Sequence, residues 1–439
     1  MNNLIFNYED SLIKKDEFKD IFKEINKEIN NMKNALKKGY EDSRASLSLL
    51  DDKDLLINTK KIVDLKKKYN PKYIIVVGIG GSNLGTIAIQ EAIYGKLYNQ
   101  KNENCKILYA DTVDPDLLYD IIKIIEPALK NDENIIVNGV SKSGGTTETI
   151  ANFEIIIDVL KKYKKDYYNY VVVTSAKNSK YWKLAEEKGF NLLEIPNNVG
   201  GRYSVFSPVG LFPLGLIGIN IDKLISGAKN MRELCLNEDI INNPAALSAS
   251  IIFYNYKKGI NIHDTFLFST DFESIGKWYR QLMGESIGKE FNRTDEKVNN
   301  GMTPTVSIGS TDLHSMAQLY LGGPYDKFTS FVRVKENKNK VKIPKYKDYS
   351  DLVSDIQNID LSNVMNAIYE GVKKSYKKSK RPYVEILLSS KKPECIAQFL
   401  QMKMMEMMFL GFLMNVNPFD QPNVESYKIE TKKILSKYD

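Results

Sequence analysis

Tyr73-Ile74-Ile75-Val76-Val77-Gly78-Ile79-Gly80-Gly81-Ser82-Asn83-Leu84 is a short β-branched run that breaks on glycines and reopens on polar residues ahead of a helical stretch. Such a run fits a strand buried on both faces, then a tight turn and a helix start. The alternation continues on either side. Strands are expected at Lys106–Tyr109, Asn134–Asn138, Tyr170–Thr174 and Asn191–Ile195, separated by segments of helical length such as Thr147 to Lys162. After a helical stretch from Leu211 to Lys258, a second set follows at Thr265–Ser269, Thr305–Ile308, Phe328–Val334 and Val384–Leu388. Strands alternating with helices predict parallel sheets covered on both faces.

The opening pattern has an echo. Val77–Leu84 reappears as Val306-Ser307-Ile308-Gly309-Ser310-Thr311-Asp312-Leu313, and in both places polar residues stand ready to cap the next helix. We read a duplicated α/β architecture, two doubly wound, flavodoxin-like parallel-sheet domains with helical extensions at both ends. The expected division is 1–65 (N-terminal helical segment), 66–210 (first α/β domain), 211–260 (helical connector), 261–416 (second α/β domain) and 417–439 (C-terminal loop and helix). Helical spacing with almost no Gly or Pro over residues 10–70 supports the first of these. The Met-rich helix expected over Pro393–Val416 reads as core filling.

Bulk properties exclude several classes. A chain of 439 residues is too long for one ordinary core, and 43% apolar with 27% charged residues is a globular composition. The densest basic stretch, Lys335–Lys347, is interrupted by Glu336, Asn337, Asn339 and Pro344, so it reads as a solvated loop and no nucleic-acid partner is expected. Cys105, Cys235 and Cys395 are odd in number and far apart, which points to a reducing compartment and buried thiols. Met1–Asp16 lacks the apolar core of a signal peptide. Met404–Val416 follows Lys403 and contains Glu406, so it is too short and too charged to span a bilayer. No membrane partner is expected, and the expected location is cytoplasmic.

The turn after Val77 could belong to a dinucleotide site, but the fingerprint needs a third glycine where Asn83 stands, and Asp111 is a weak ribose partner. The alternative is an anion cradle built from the backbone N–H groups of Gly80 and Gly81 and the Ser82 hydroxyl. Ser141-Lys142-Ser143-Gly144-Gly145-Thr146-Thr147-Glu148-Thr149 opens a helix with hydroxyls, a lysine and two glycines, which suits a phosphate monoester. Capping by Thr146 or Thr147 explains one threonine and not the cluster. In Trp278-Tyr279-Arg280-Gln281-Leu282-Met283-Gly284-Glu285-Ser286-Ile287-Gly288-Lys289, four-residue spacing places Gln281, Glu285 and Lys289 on one helical face. An exposed Glu–Lys pair is the common reading of such spacing. Gly284 and Gly288, each costing about 1 kcal/mol in a helix, argue for a close approach there. His263 has no motif around it and reads as a surface or edge residue. His314 is expected in the first turn of a helix, where the dipole favours a neutral imidazole. Two histidines and scattered cysteines do not make a usual zinc site, so metal-free, cofactor-free chemistry is expected.

Two longer segments carry a resemblance. Val199-Gly200-Gly201-Arg202-Tyr203-Ser204-Val205-Phe206-Ser207-Pro208-Val209-Gly210 and Asn417-Pro418-Phe419-Asp420-Gln421-Pro422-Asn423-Val424-Glu425-Ser426-Tyr427-Lys428 resemble the two signatures of the glucose-6-phosphate isomerase family, which has the sugar isomerase (SIS) fold. The Ser141–Thr149 loop, the Glu285 segment and the His314 segment resemble that family's phosphate loop, catalytic-glutamate and histidine motifs. Ser143, Gly144 and Gly145 depart from its more usual residues, and Asn423 stands where it usually has glycine. The resemblance implies an aldose–ketose isomerase of glycolysis and gluconeogenesis, interconverting glucose 6-phosphate and fructose 6-phosphate by proton transfer through an enediolate. It implies Glu285 as base, His314 and Lys428 at ring opening, and Arg202 beside the developing oxyanion. Ser82, Ser141, Lys142, Ser143, Thr146, Thr149, Gln281 and Gln421 would hold the phosphate, with Gly80, Gly81 and Gly201 as backbone contacts. It further implies a homodimer with the active site at the subunit interface. An isomerase that also accepts mannose 6-phosphate, a sugar-phosphate sensor and a dinucleotide oxidoreductase are the alternatives.

Overall fold

The computed structural model describes residues 3–14, 17, 19–101 and 105–438. The ends of the Met1–Asp16 stretch therefore lie outside the described residues. The chain opens with a short strand, β1 (Leu4–Asn7), then helices α1 (Lys19–Lys38) and α2 (Lys53–Lys67). The expected N-terminal helical segment 1–65 thus opens with a strand that was not anticipated; only Leu4 of β1 is buried, and no alternation can develop in four residues. In α1, Ile21, Ile25, Ile29 and Met32 recur at helical spacing and are all buried.

The first sheet is built from β2 (Tyr73–Val77), β3 (Lys106–Ala110), β4 (Ile135–Val140), β5 (Val171–Ser175) and β6 (Asn191–Glu194). Between them run α3 (Leu84–Tyr94), α4 (Pro115–Lys130), α5 (Thr147–Tyr163) and α6 (Lys180–Lys188). All five strands are parallel, in the order β3-β2-β4-β5-β6. Helices α7 (Pro208–Leu216), α8 (Ile221–Cys235) and α9 (Pro244–Lys257) fill the stretch read as helical after Leu211.

The second sheet contains β7 (Ile262–Leu267), followed by α10 (Glu273–Ile287) and a hairpin, β8 (Lys289–Phe291) with β9 (Lys297–Asn300), which lies outside the sheet and was not anticipated. Next come β10 (Thr303–Ile308), α11 (Ala317–Gly322), β11 (Lys327–Val334), α12 (Leu361–Lys378), β12 (Tyr383–Leu388), α13 (Pro393–Leu413) and α14 (Glu425–Leu435). The order is β1-β12-β11-β7-β10, parallel except for β1.

Counted from its own first strand, the first sheet runs 2-1-3-4-5, and the parallel strands of the second run 2-1-3-4. The shared order agrees with two doubly wound units. It also corrects the echo: β2 is the first strand of its sheet whereas β10 is the second of its own, so Val77–Leu84 and Val306–Leu313 are not equivalent positions. What they share is local. Each leads into a single turn of 3-10 helix, Gly80–Ser82 and Thr311–Leu313. The expected capping is absent, because neither Asn83 nor Ser310, the residues at the two helix starts, makes a side-chain cap bond.

Helix α13 runs through the middle, packing on α8, α9, α10 and α1, and is buried continuously from Cys395 to Gly411. Its methionines are core, as composition implied, and the three cysteines are buried thiols. His263 contradicts the surface or edge reading. It lies on β7, between β11 and β10, is fully buried, and hydrogen-bonds Ser330 and Tyr279. Among the described residues no helix is long and apolar enough to cross a membrane.

Candidate active site

In a 2-1-3-4-5 sheet, the connections from the first strand leave toward opposite faces, opening a crevice beyond the carboxyl ends of strands one and three. Here those ends belong to β2 and β4, and the loops that follow are Gly78–Asn83 and Ser141–Thr146. The crevice is closed from outside by three other segments.

Arg202 is the junction. It lies in a one-turn helix, Gly201–Tyr203, and is only 1% exposed. Its Nε donates to Ser286 Oγ at 2.9 Å, and Nη1 donates to Glu285 Oε2 at 3.1 Å and Gln421 Oε1 at 2.8 Å. Its Nη2 donates to the carbonyls of Pro418 at 2.6 Å and Asp420 at 3.0 Å. A buried guanidinium needs this full set of acceptors. On α10, Gln281 Nε2 donates to the other oxygen of Glu285 at 3.1 Å. The carboxylate is thus oriented from two sides, yet a third of the side chain (33%) stays exposed and open to a substrate.

The glycines follow from this convergence. Gly80 has φ +59°, and a Cβ there would lie 3.0 Å from Gln281 Nε2. A Cβ on Gly81 would lie 2.2 Å from the carbonyl carbon of Gly201, so the two loops touch backbone to backbone. Gly284 does not bear out the close approach inferred from its helix cost, since a Cβ there would meet open space. Gly288 caps the helix, and its Cβ would press on the Gly284 carbonyl oxygen.

Lys289 also departs from the expected pattern. Because α10 ends at Ile287, Lys289 leaves the face of Gln281 and Glu285 and turns inward, 6% exposed. Its ammonium binds the Asp420 carbonyl, and Asp420 Oδ1 at 2.8 Å. Burial lowers its pKa, opposed by the Asp420 carboxylate. Lys289 and Arg202 together clamp the loop that carries Gln421. Lys289 was read only as part of the Gln281–Glu285 face, and Asp420 was not singled out from sequence; the signal available was its place directly beside Gln421.

In the second crevice loop, Ser141 Oγ lies 3.0 Å from Thr146 Oγ1 and accepts the Gly144 N–H at 3.2 Å. Thr146 occupies the N-cap position of α5 without making a capping bond, so simple capping does not account for it. Ser143 is exposed, while Thr149 is buried with its hydroxyl unpartnered among the described residues. Lys142 is half-buried, and its Nζ donates to the Val199 carbonyl at 3.0 Å, three residues before Arg202. Burial lowers its pKa. Ser82 is half-buried in the Gly80–Ser82 turn.

Two expected members stand apart. His314 is exposed and ends the Thr311–Leu313 turn, so it is not in the first turn of a helix as read. Lys428 lies on α14, where every residue is exposed, and pairs with Glu425 at 2.6 Å. Among the described residues, no hydrogen bond or ion pair joins either to the Arg202 cluster. Asn423, where the family usually has glycine, does not adopt a left-handed backbone. It lies in the 3-10 turn Pro422–Val424 and donates to Glu290 Oε2 at 2.8 Å. No group of three His, Cys, Asp or Glu able to hold a metal ion occurs among the described residues.

The family model described as phosphoglucose isomerase matches residues 66–439. A glucose-6-phosphate isomerase of Carboxydothermus hydrogenoformans is 34% identical over 398 residues, covering 89% of this chain and 84% of the relative. Among solved structures, a hypothetical protein of Thermus thermophilus aligns with a TM-score of 0.85 at 26% identity, over 98% of this chain and 99% of that one. A glucose-6-phosphate isomerase of Chlamydia trachomatis aligns with a TM-score of 0.84 over 99% of this chain and 89% of that one; at 18% identity this is a likeness of fold. With the family model spanning both crevice loops, the Arg202 turn, α10 and the Gln421 loop, the chain belongs to the phosphoglucose isomerase family.

Proposed function

We propose that the chain interconverts glucose 6-phosphate and fructose 6-phosphate by metal-free proton transfer through an enediolate. The observation that carries this is Glu285, a carboxylate held by Arg202 from a distant turn and by Gln281 of its own helix, with a third of its side chain exposed. Moving a proton between adjacent carbons needs a fixed carboxylate base and a cation near the oxygen that gains charge. Glu285 is the base and Arg202 the cation. The crevice loops, with Ser82, Ser141, Lys142, Ser143, Thr146 and Thr149, take the phosphate together with Gln281 and Gln421. That remote grip positions the reacting carbons. His314 and Lys428 act at ring opening.

That His314 and Lys428 are exposed and, among the described residues, not bonded to the cluster supports a homodimer whose active site is completed across the interface. So does α14, whose Tyr427, Ile429 and Ile434 are exposed in the single chain. The division at 65, 210, 260 and 416 is our proposed domain organisation, supported by the two sheets. The buried, unpaired cysteines support a cytoplasmic location. Purified protein should convert fructose 6-phosphate in an assay coupled to glucose 6-phosphate oxidation; no turnover there rejects the reading. Mixing inactive Glu285→Gln and His314→Ala proteins should restore partial activity if each site draws on two chains, and no recovery on exchange rejects the shared site.

A further inference from the structure

Helix α13 carries a Lys and a Glu where a core helix has little use for charge. Lys403 and Glu406 are both fully buried and form an ion pair of 2.8 Å. Glu406 Oε2 also accepts from Ser248 of α9 at 2.5 Å, and Oε1 accepts from Tyr279 of α10 at 2.7 Å. Tyr279 OH in turn meets His263 Nδ1 of β7 at 3.2 Å, and His263 Nε2 meets Ser330 Oγ of β11 at 2.8 Å. Since the tyrosine proton is directed at the carboxylate, the network assigns the His263 proton to Nδ1, with Nε2 accepting from Ser330. Lys403 also lies over the Tyr279 ring, 4.7 Å from its centre. Four elements, α9, α10, β7 and β11, are thus tied, directly or in sequence, to one carboxylate on α13.

Buried pairs of this kind are poor stabilisers, because apolar residues of the same volume often do as well or better. What they supply is direction. Apolar packing lets a helix slide or rotate by small amounts, whereas a hydrogen bond to a fixed carboxylate does not. The helix fixed here is α10, and Tyr279 lies two residues before Gln281 and six before Glu285. We infer that Tyr279, Glu406 and Lys403 are positioning residues, setting the axial position and rotation of α10 and so the aim of the Glu285 carboxylate. The inference rests on the isomerase reading.

The test uses full-length Tyr279→Phe and the volume-preserving double variant K403M/E406L. In both, kcat for fructose 6-phosphate should fall between about ten- and a hundredfold, the range for small misplacement of a catalytic group, with KM held within about threefold. The double variant should melt no lower than wild type, so the loss cannot be ascribed to unfolding; it also decides the matter if Tyr279→Phe does not fold. Wild-type kcat in the folded double variant would show the network to be structural only. A raised KM with unchanged kcat would overturn the inference as well, since a role in aiming the base predicts the reverse. Inactive wild-type protein would instead strike the isomerase reading, so the two failures are distinguishable.

Discussion

The two sheets share a strand order and differ in what they bury. In the first, β2 is Tyr-Ile-Ile-Val-Val, wholly buried, and polar side chains enter late, at Asn138, Thr174 and Ser175. In the second, β7, β10 and β11 bury His263, Asp264, Thr265, Ser307, Thr329 and Ser330. The first sheet is therefore an apolar slab whose polar groups gather in the loops beyond the carboxyl ends of its strands. The second has hydrogen-bonded, titratable groups in its body, and the helix leaving its first strand carries Glu285. On the proposed reading, one architecture is used in two ways, to hold an anion beyond the carboxyl ends of two strands and to aim a base from a helix anchored in a polar core.

The sharpest way to break this division is Glu285→Gln. The amide keeps the shape and can still accept from Arg202, but it cannot take a proton. Turnover should fall by about two to four decades, the usual contribution of a general base. Affinity for fructose 6-phosphate should change by less than about threefold if, as proposed, the loops of the first sheet do the holding. Equal losses in kcat and in affinity would mean that the two regions do not divide the work.

Asp264 tests the polar core of the second sheet. Its Oδ1 accepts from Thr305 at 2.7 Å, Ser307 at 3.0 Å and Tyr320 at 3.1 Å, while Oδ2 is buried without a partner among the described residues. Burial pushes its pKa up to about 6, against the pull of those hydroxyls. Below pH 4 the carboxyl is protonated in folded and unfolded chains alike and costs nothing. Between about pH 4 and 6 the unfolded chain releases the proton while the folded one keeps it, so this group lowers stability as pH rises. Two pKa units correspond to about 3 kcal/mol. Relative to wild type, Asp264→Asn should gain up to about that much between pH 4 and pH 7 in urea unfolding. A pH-independent difference would place the proton elsewhere.

The same contrast decided what could be read from sequence. Tyr73–Val77 is a strand with the expected bounds, and the other strands of the first sheet differ by a residue or two at their ends, since continuous Ile and Val runs have one reading. In the second sheet the expected Thr265–Ser269 is Ile262–Leu267, because His263 and Asp264 broke the apolar run that marks a buried strand. His263 was misplaced for the same reason: its partners Ser330, Tyr279 and, through Tyr279, Glu406 lie far away in sequence. The site divides similarly. Glu285, Gln281, Arg202 and Gln421 were legible because their segments resemble a known family, and the structure brings them together. Lys289 was read onto the wrong face because a four-residue spacing continues past a helix end that only the fold reveals.

Lys142→Ala tests the loops beyond the carboxyl ends of the first sheet's strands. Charge-assisted contacts are worth about 1.5–3 kcal/mol, so sugar-phosphate and inorganic phosphate affinity should each fall by about one to two decades. Because Lys142 also holds the Val199 carbonyl, a modest drop in kcat should accompany the loss, through Arg202. Unchanged phosphate affinity, measured by calorimetry, would remove the lysine from the anion site.

The smallest effect belongs to the apolar slab. Ile75 is fully buried in the middle of β2, paired in register with Leu108 of β3 and Val137 of β4, so its surroundings are aliphatic. Ile75→Val removes one methylene and should cost about 0.5–1.5 kcal/mol in urea unfolding, the range for this change in a packed core. The decisive feature is its pH profile. With no ionisable partner in those neighbouring strand positions, the cost should be the same at pH 4.5 and pH 7, whereas the difference produced by Asp264→Asn should grow across that interval. Activity per folded molecule should stay at the wild-type level, because a strand held by non-directional packing can lose a methylene without re-aiming the loops at its end. A pH-dependent cost at Ile75, or a fall in turnover, would show that the first sheet is coupled to the titratable core of the second.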